Sequence, residues 1–155
     1  MRPLRKLTPL LVLVAVLLAA GPMAGNEATS GRFTVWVDHS GDDPVGQLLA
    51  YEVREEVRRS EAYDLGTFSD ALFMVLIITL DPNASSELKG SSTAASVAYT
   101  MANMNTYEEG NPQTWFPIYL SSITLTAGRN RVDDQAKSIV AELDAQVSDL
   151  LEFYK

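Results

Sequence analysis

The residues best suited to chemistry lie in one short stretch, VDHSGDDPVG, at positions 37–46. Besides Asp42 and Asp43, it contains Asp38, His39 and Ser40, and His39 is the one histidine of the chain. Aspartate, histidine and serine form the triad of serine hydrolases, but neighbouring residues of a strand point to opposite faces. Asp38, His39 and Ser40 therefore cannot meet at one proton, and we expect no enzymatic activity.

The same stretch contains part of a cation-binding pattern. Asp38, Ser40 and Asp42 occupy the first, third and fifth positions of a loop that resembles the start of a calcium-binding loop. Its sixth position is Asp43 where glycine is needed, and its twelfth is Leu49 where glutamate is needed. One histidine and no cysteine also make a zinc site unexpected. We expect no metal or other cofactor, and weak cation or small-ligand binding by the acidic 38–43 turn remains the alternative function.

A turn between a strand and a helix explains the same residues. Gly41 lets the chain leave the strand, Asp43 can accept a hydrogen bond from the first helical turn, and Pro44 suits the first helical position. Asp42 and Asp43 also carry negative charge where the helix dipole favours it. We predict that Asp42 and Asp43 form a helix N-cap turn.

The N-terminus predicts export from the cytoplasm. Within residues 1–24, three basic residues precede an apolar run at 10–20, which is followed by small residues; the basic residues are Arg2, Arg5 and Lys6. This order is typical of a secretory signal peptide, and the run is shorter than the roughly 20 residues of a membrane-spanning helix. The interpretation divides the chain into a signal peptide (1–24), a flexible leader (25–32) and a single domain (33–155). An uncleaved leader that acts as a membrane anchor is the alternative.

Composition restricts the partners and the means of stabilisation. The 155-residue chain has a formal charge of −8, and loss of the three basic leader residues leaves 9 minus 20, or −11. Such a charge repels nucleic acid and anionic lipid. The absence of cysteine excludes disulfides and the lipid-modified cysteine of a bacterial lipoprotein. We expect a periplasmic or secreted protein without stable membrane insertion after cleavage.

Hydrophobic periodicity predicts the order of the elements. Five segments have the composition of strands, namely residues 33–37, 62–66, 71–80, 93–104 and 115–126. The segments after Pro44 and after Arg129 instead have apolar residues at helical spacing. The apolar run 71–80 predicts a central strand that is covered on both faces. The fold class is α/β (α+β), with a single mixed sheet of four to five strands, two amphipathic helices on one face and the order β-α-β-β-β-β-α.

Two groups of residues are candidates for contact with a partner. The first is on the first helix, where Glu55 and Arg59 also have the spacing of an ion pair; its members are Arg54, Arg58 and Arg59. The second lies in a turn-rich loop, and its members are Tyr107, Glu108 and Glu109.

Five segments of the predicted domain carry a resemblance to known proteins: FTVWVDHSGD, PVGQLLAYEVREEVRRSEAYDLG, ALFMVLIITLDPN, SVAYTMANM and DQAKSIVAELDAQVSDLL. Together they resemble the N-terminal domain of TolB and the PelC- and LpoB-type domains of envelope assembly proteins. The resemblance covers most of residues 33–152 and rests on element order and apolar pattern. It implies a non-enzymatic envelope module that binds a protein partner or itself. No β-propeller follows the domain and no lipidated cysteine precedes it, so the resemblance specifies neither partner nor anchor.

Overall fold

The computed structural model of the chain describes residues 32–103 and 116–153. Its elements, in chain order, are β1 (Phe33–Ser40), α1 (Pro44–Arg59), β2 (Tyr63–Leu65), β3 (Phe73–Leu80), β4 (Ser92–Asn103), β5 (Phe116–Gly128), a 3-10 turn (Arg129–Arg131) and α2 (Val132–Phe153). The predicted signal peptide, the leader up to residue 31, and Tyr107, Glu108 and Glu109 lie outside the described residues.

The five strands form one mixed sheet in the order β2-β1-β3-β4-β5. β1 lies between β2 and β3 and is parallel to both, whereas β3, β4 and β5 are successively antiparallel. The predicted fold class and element order are confirmed.

Both helices pack on the same face of the sheet, here called the inner face. Alternate strand residues point to that face and form the core together with one side of each helix, because side chains alternate along a strand. Core residues that are 2% exposed or less include Val35, Leu49, Val53, Phe73, Ile77, Val97, Tyr99, Ile139 and Leu143. Burial of each large aliphatic side chain contributes roughly 1.5–3 kcal/mol to folding.

The described residues cover the opposite face, here called the outer face, at one end only. The segment between β2 and β3 crosses β1 there, and the ring of Phe68 meets the ring of Trp36 edge-on with centroids 5.0 Å apart. Met74, at the same end of β3, is buried, but Ile78 and Leu80 are 62% and 60% exposed. The expectation that 71–80 is covered on both faces is therefore wrong for the second half of β3, because neither described helix lies over that part.

A buried hydrogen bond joins the middle of the sheet to α2. The side chain of Tyr99 is completely buried, and its hydroxyl donates to the Ile139 carbonyl at 3.0 Å. The bond fixes the position of α2 along β4, since a buried hydroxyl without a partner would cost free energy.

Replacement of Tyr99 by phenylalanine should lower the free energy of unfolding by about 0.5–1.5 kcal/mol, because one buried hydrogen bond is lost while the ring is kept. Urea denaturation of the purified protein measures this change. Tyr119→Phe is the matched control: Tyr119 is exposed and its hydroxyl bonds to Ser122, so the expected change is below about 0.5 kcal/mol. Equal effects of the two substitutions would contradict a role for the Tyr99 bond.

Candidate functional site

The turn from β1 to α1 is built around Asp43. This residue is the N-cap of α1: its Oδ1 accepts from the Gly46 N–H at 2.6 Å and its carbonyl accepts from the Gln47 N–H at 3.0 Å. Asp43 is only 6% exposed, and Pro44 follows it at the start of the helix. Asp42, in contrast, is exposed. Oδ1 of Asp43 thus holds the first helical turn, whereas its Oδ2 is buried without a hydrogen-bond partner.

Two glycines let this turn approach β3 closely. A Cβ at Gly46 would lie 2.1 Å from Thr79 Oγ1, and one at Gly41 would lie 2.3 Å from the same atom. Gly41 also has a φ of +149°, which favours glycine. The start of α1 therefore lies directly against the end of β3, a contact that a larger side chain at either position would prevent.

His39 and Thr79 meet in this contact. His39 Nε2 lies 2.8 Å from Thr79 Oγ1, a hydrogen bond between residues 40 positions apart in sequence. An imidazole beside a hydroxyl is the minimum geometry for an activated nucleophile. Thr79, however, is 6% exposed, and its hydroxyl is enclosed by Gly41 and Gly46. A substrate atom has no room beside it, so the geometry fits a structural hydrogen bond.

The electrostatic surroundings of His39 favour its neutral form. Burial, and then the positive charge of Arg54, lower the pKa of His39 from its ordinary value of 6.5, whereas Asp43 and Asp38 act in the opposite direction. Since burial penalises the charged imidazolium, the neutral ring is the form that the native structure accommodates best.

Arg54 closes one edge of the sheet. The Val35 carbonyl accepts from the Gly66 N–H just beyond β2, and backbone groups alternate in direction along a strand. The Val37 carbonyl therefore points to the same side, but β2 ends at Leu65 and does not reach it. The guanidinium of Arg54 fills that place, donating to the Val37 carbonyl from Nε at 3.3 Å and from Nη2 at 3.1 Å.

The other two candidate arginines are exposed but paired. Arg58 forms an ion pair with Glu55, and Arg59 forms one with Glu56 at 2.7 Å. The pairs thus span three positions, and the Glu55–Arg59 pairing expected from the sequence is wrong. The three arginines do not form one free basic surface: Arg54 holds the backbone, and each of the others lies beside a carboxylate.

The described part of the chain contains no group of three or more histidine, aspartate or glutamate side chains that could hold a metal ion. In the 38–43 turn, Asp38 and His39 point to opposite faces of the sheet, as strand alternation requires, and Asp43 caps α1. The acidic members of the calcium-like pattern, Asp38 and Asp42, belong to no such group.

The open part of the outer face is the largest feature that sequence reasoning missed. Ile78 and Leu80 stand on β3, with half-buried Leu76 behind them. Directly beside them β4 contributes only small side chains, Ser96 next to Ile78 and Ala94 next to Leu80. A strip of large apolar side chains thus borders a strip of small ones, in the middle of the sheet. The continuous apolar composition of β3 contains no signal that could have identified it.

The comparisons with known proteins identify no family. No family model and no curated protein matches the chain. The solved structures similar to it include the hypothetical protein CT253 from Chlamydia trachomatis, at 12% identity and a TM-score of 0.48, with 76% of this chain and 99% of that one covered. Another is a "putative lipoprotein" from Caulobacter crescentus, at 9% identity and a TM-score of 0.35, with 77% and 92% covered. Neither is named as a TolB-, PelC- or LpoB-type protein, so that resemblance stays a prediction.

Among the described residues, neither helix is both long enough and apolar enough to cross a membrane.

Arg54→Gln should lower the free energy of unfolding by about 1.5–3 kcal/mol, because the Val37 carbonyl loses a charged donor. Arg58→Gln is the matched control on the same helix; its pair is exposed, so we expect a change below about 1 kcal/mol. Thermal or urea unfolding measures both. If the two variants were equally stable, the edge-closing role of Arg54 would be refuted.

The lowered pKa of His39 predicts that stability decreases in mild acid. The unfolded chain takes up a proton near pH 6.5, whereas the native imidazole takes it up at lower pH. The contribution of His39 is therefore fully present above 6.5 and is lost as pH falls through the lowered native pKa. Urea midpoints between about pH 8 and about pH 5.5 should fall more steeply for the natural protein than for His39→Gln. Parallel curves would contradict this prediction.

Proposed function

We propose that this chain is a non-enzymatic protein-interaction module of the cell envelope, which binds its partner through the open part of the outer face. The observation that carries the proposal is the exposure of Ile78 and Leu80 on a central strand. Apolar side chains of a central strand are normally covered, and exposed apolar surface of this kind is typical of binding sites.

The chemistry of the face indicates the kind of partner. Its centre is apolar, and its β5 side carries hydroxyls, on Ser122, Thr124 and Thr126. Asp38 on β1 is exposed at its other side. Such a surface suits a protein segment with apolar side chains at its centre and polar groups at its rim. It does not suit nucleic acid, since the chain is acidic.

The location in the envelope is supported by the leader. Residues 1–24 have the basic, apolar and small-residue order of a signal peptide. The absence of cysteine removes the usual site of lipid attachment, so the proposal is a periplasmic or secreted protein. Binding by Arg58, Arg59 and the loop with Tyr107, Glu108 and Glu109 stays a prediction.

Crosslinking in intact cells tests the proposal. The natively secreted, tagged full-length chain is crosslinked, purified under stringent washing and compared with Ile78→Lys and Leu80→Lys. Because both residues are exposed, these variants should fold, but each should reduce capture of the partner by about tenfold or more, as expected for loss of an apolar contact at the centre of an interface.

Leu88→Lys is the matched control, since Leu88 is 63% exposed in the connection between β3 and β4. Its capture should equal that of the natural protein. Arg58→Glu with Arg59→Glu tests the helix surface separately. Loss of capture with these arginine variants and normal capture with the Ile78 and Leu80 variants would place the binding site on α1 and contradict the outer face.

A further inference from the structure

The two edges of the sheet differ in how they are protected. At one edge, β2 is only three residues long, its Asp64 forms an ion pair with Arg32, and Arg54 occupies the carbonyl that extends past it. Short strands and charged side chains are the usual means of preventing an edge from pairing with another chain. This edge is closed.

The other edge is β5, and it has none of these protections over most of its length. It is 13 residues long, the longest strand that the structure describes, and its sequence FPIYLSSITLTAG contains no charged residue. Among residues 32–103 and 116–153, β5 pairs with β4 only. The first part of β5 contains Pro117 and a shift in the pairing register opposite Tyr99 and Thr100. Residues 121–128 therefore form the regular, uncharged part of this edge.

Backbone directions show which groups of β5 are free. The Ala102 N–H donates to the Leu72 carbonyl, so the even-numbered residues of β4 face β3 and the odd-numbered ones face β5. Val97 is paired with Ile123, and the odd-numbered residues of β5 after the irregularity therefore bond to β4. The backbone N–H and carbonyl groups of Ser122, Thr124 and Thr126 point away from the sheet.

We infer that β5 pairs antiparallel with β5 of a second copy of this chain, about a two-fold axis at Thr124. This inference rests on the proposed function, because it identifies one partner of the interaction module as the chain itself. In this register Ser122 lies opposite Thr126 of the other copy, and Thr124 lies opposite its own equivalent. All three outward-facing residues then exchange backbone bonds, about six in total.

The side chains of β5 also favour a second copy of this chain as the partner of this edge. On the inner side the register places Ile123 opposite Leu125 of the other copy, an apolar pair. On the outer side it places the hydroxyls of Ser122 and Thr126 opposite each other, and those of the two Thr124 residues likewise. Two acidic molecules can also approach along this edge, because no carboxylate lies on β5.

The pairing joins the two sheets into one sheet of ten strands, with both outer faces on the same side. An edge contact of this length buries less than a standard interface, so the dimer should be weak, with a dissociation constant of about 1 µM or above. It should therefore be seen as a concentration-dependent increase in mass.

The test uses the full-length chain, expressed with its own leader and purified after export, in sedimentation equilibrium over a range of concentrations. Thr124→Pro removes one outward-facing N–H and no bond to β4, so it should leave the monomer folded, as proline is tolerated at such edge positions. It should raise the dimer dissociation constant by at least about tenfold. Thr124→Val keeps the backbone donor and should leave that constant nearly unchanged.

A single cysteine tests the register, since the natural chain has none. The two Thr124 Cα atoms should lie about 5.5 Å apart across the axis, within disulfide range. Thr124→Cys should therefore form a covalent dimer under mild oxidation, whereas Leu88→Cys, which is also exposed but lies on the β3–β4 connection, should not.

The outcomes separate this inference from the proposed function. Concentration-dependent dimers that are lost with Thr124→Pro and trapped by Thr124→Cys establish self-pairing. A protein that stays monomeric at all concentrations overturns it, and continued capture of an envelope protein through Ile78 and Leu80 would then leave the proposed function intact. A dimer that is unaffected by Thr124→Pro also overturns it, because the contact would lie elsewhere.

Discussion

Two helices can cover only one face of a five-stranded sheet, and this limit governs the rest of the structure. α1 and α2 bury the inner face and contact each other over it, and the segment between β2 and β3 covers one end of the other face. Nothing in the described chain covers the second half of β3 on the outer face. The exposure of Ile78 and Leu80 follows from the number of elements available, since their apolar character would favour burial.

The same limit makes the sheet edges important. A small sheet has two edges, and each exposes a row of backbone donors and acceptors. On the β2 side the chain uses a long side chain from α1, and Arg54 substitutes for the strand that is missing beside Val37. On the β5 side, the described part of the chain pairs this strand with β4 alone. The molecule is thus asymmetric: one side is completed within the chain, and the other suits completion by another chain.

Local signals in the sequence predicted most of the fold. Period-two and period-three-to-four patterns identify each strand and helix, and Asp43-Pro44 marks the start of α1 because capping depends on adjacent residues. Contacts between residues that are distant in the sequence could not be predicted from such local signals. His39 and Thr79 meet only because β1 and β3 are neighbours, although 40 positions separate them. In the sequence, Arg54 cannot be distinguished from the charged residues around it, because its role depends on the early end of β2. The apolar run 71–80 likewise does not show that one face of β3 is left partly uncovered.

The parallel pairing of β1 with β3 has a consequence for biosynthesis. Val35 is in register with Phe73, so the two partners are 73 minus 35, or 38, positions apart. At about 5–20 residues per second, β1 leaves the ribosome a few seconds before the strand it joins. During that interval the side chains of Phe33, Val35 and Val37 cannot be buried against the sheet, and they are accessible to chaperones that bind the nascent chain. The antiparallel strands β3 to β5 have nearer partners, so the C-terminal half can assemble first and serve as the surface on which β1 is finally laid.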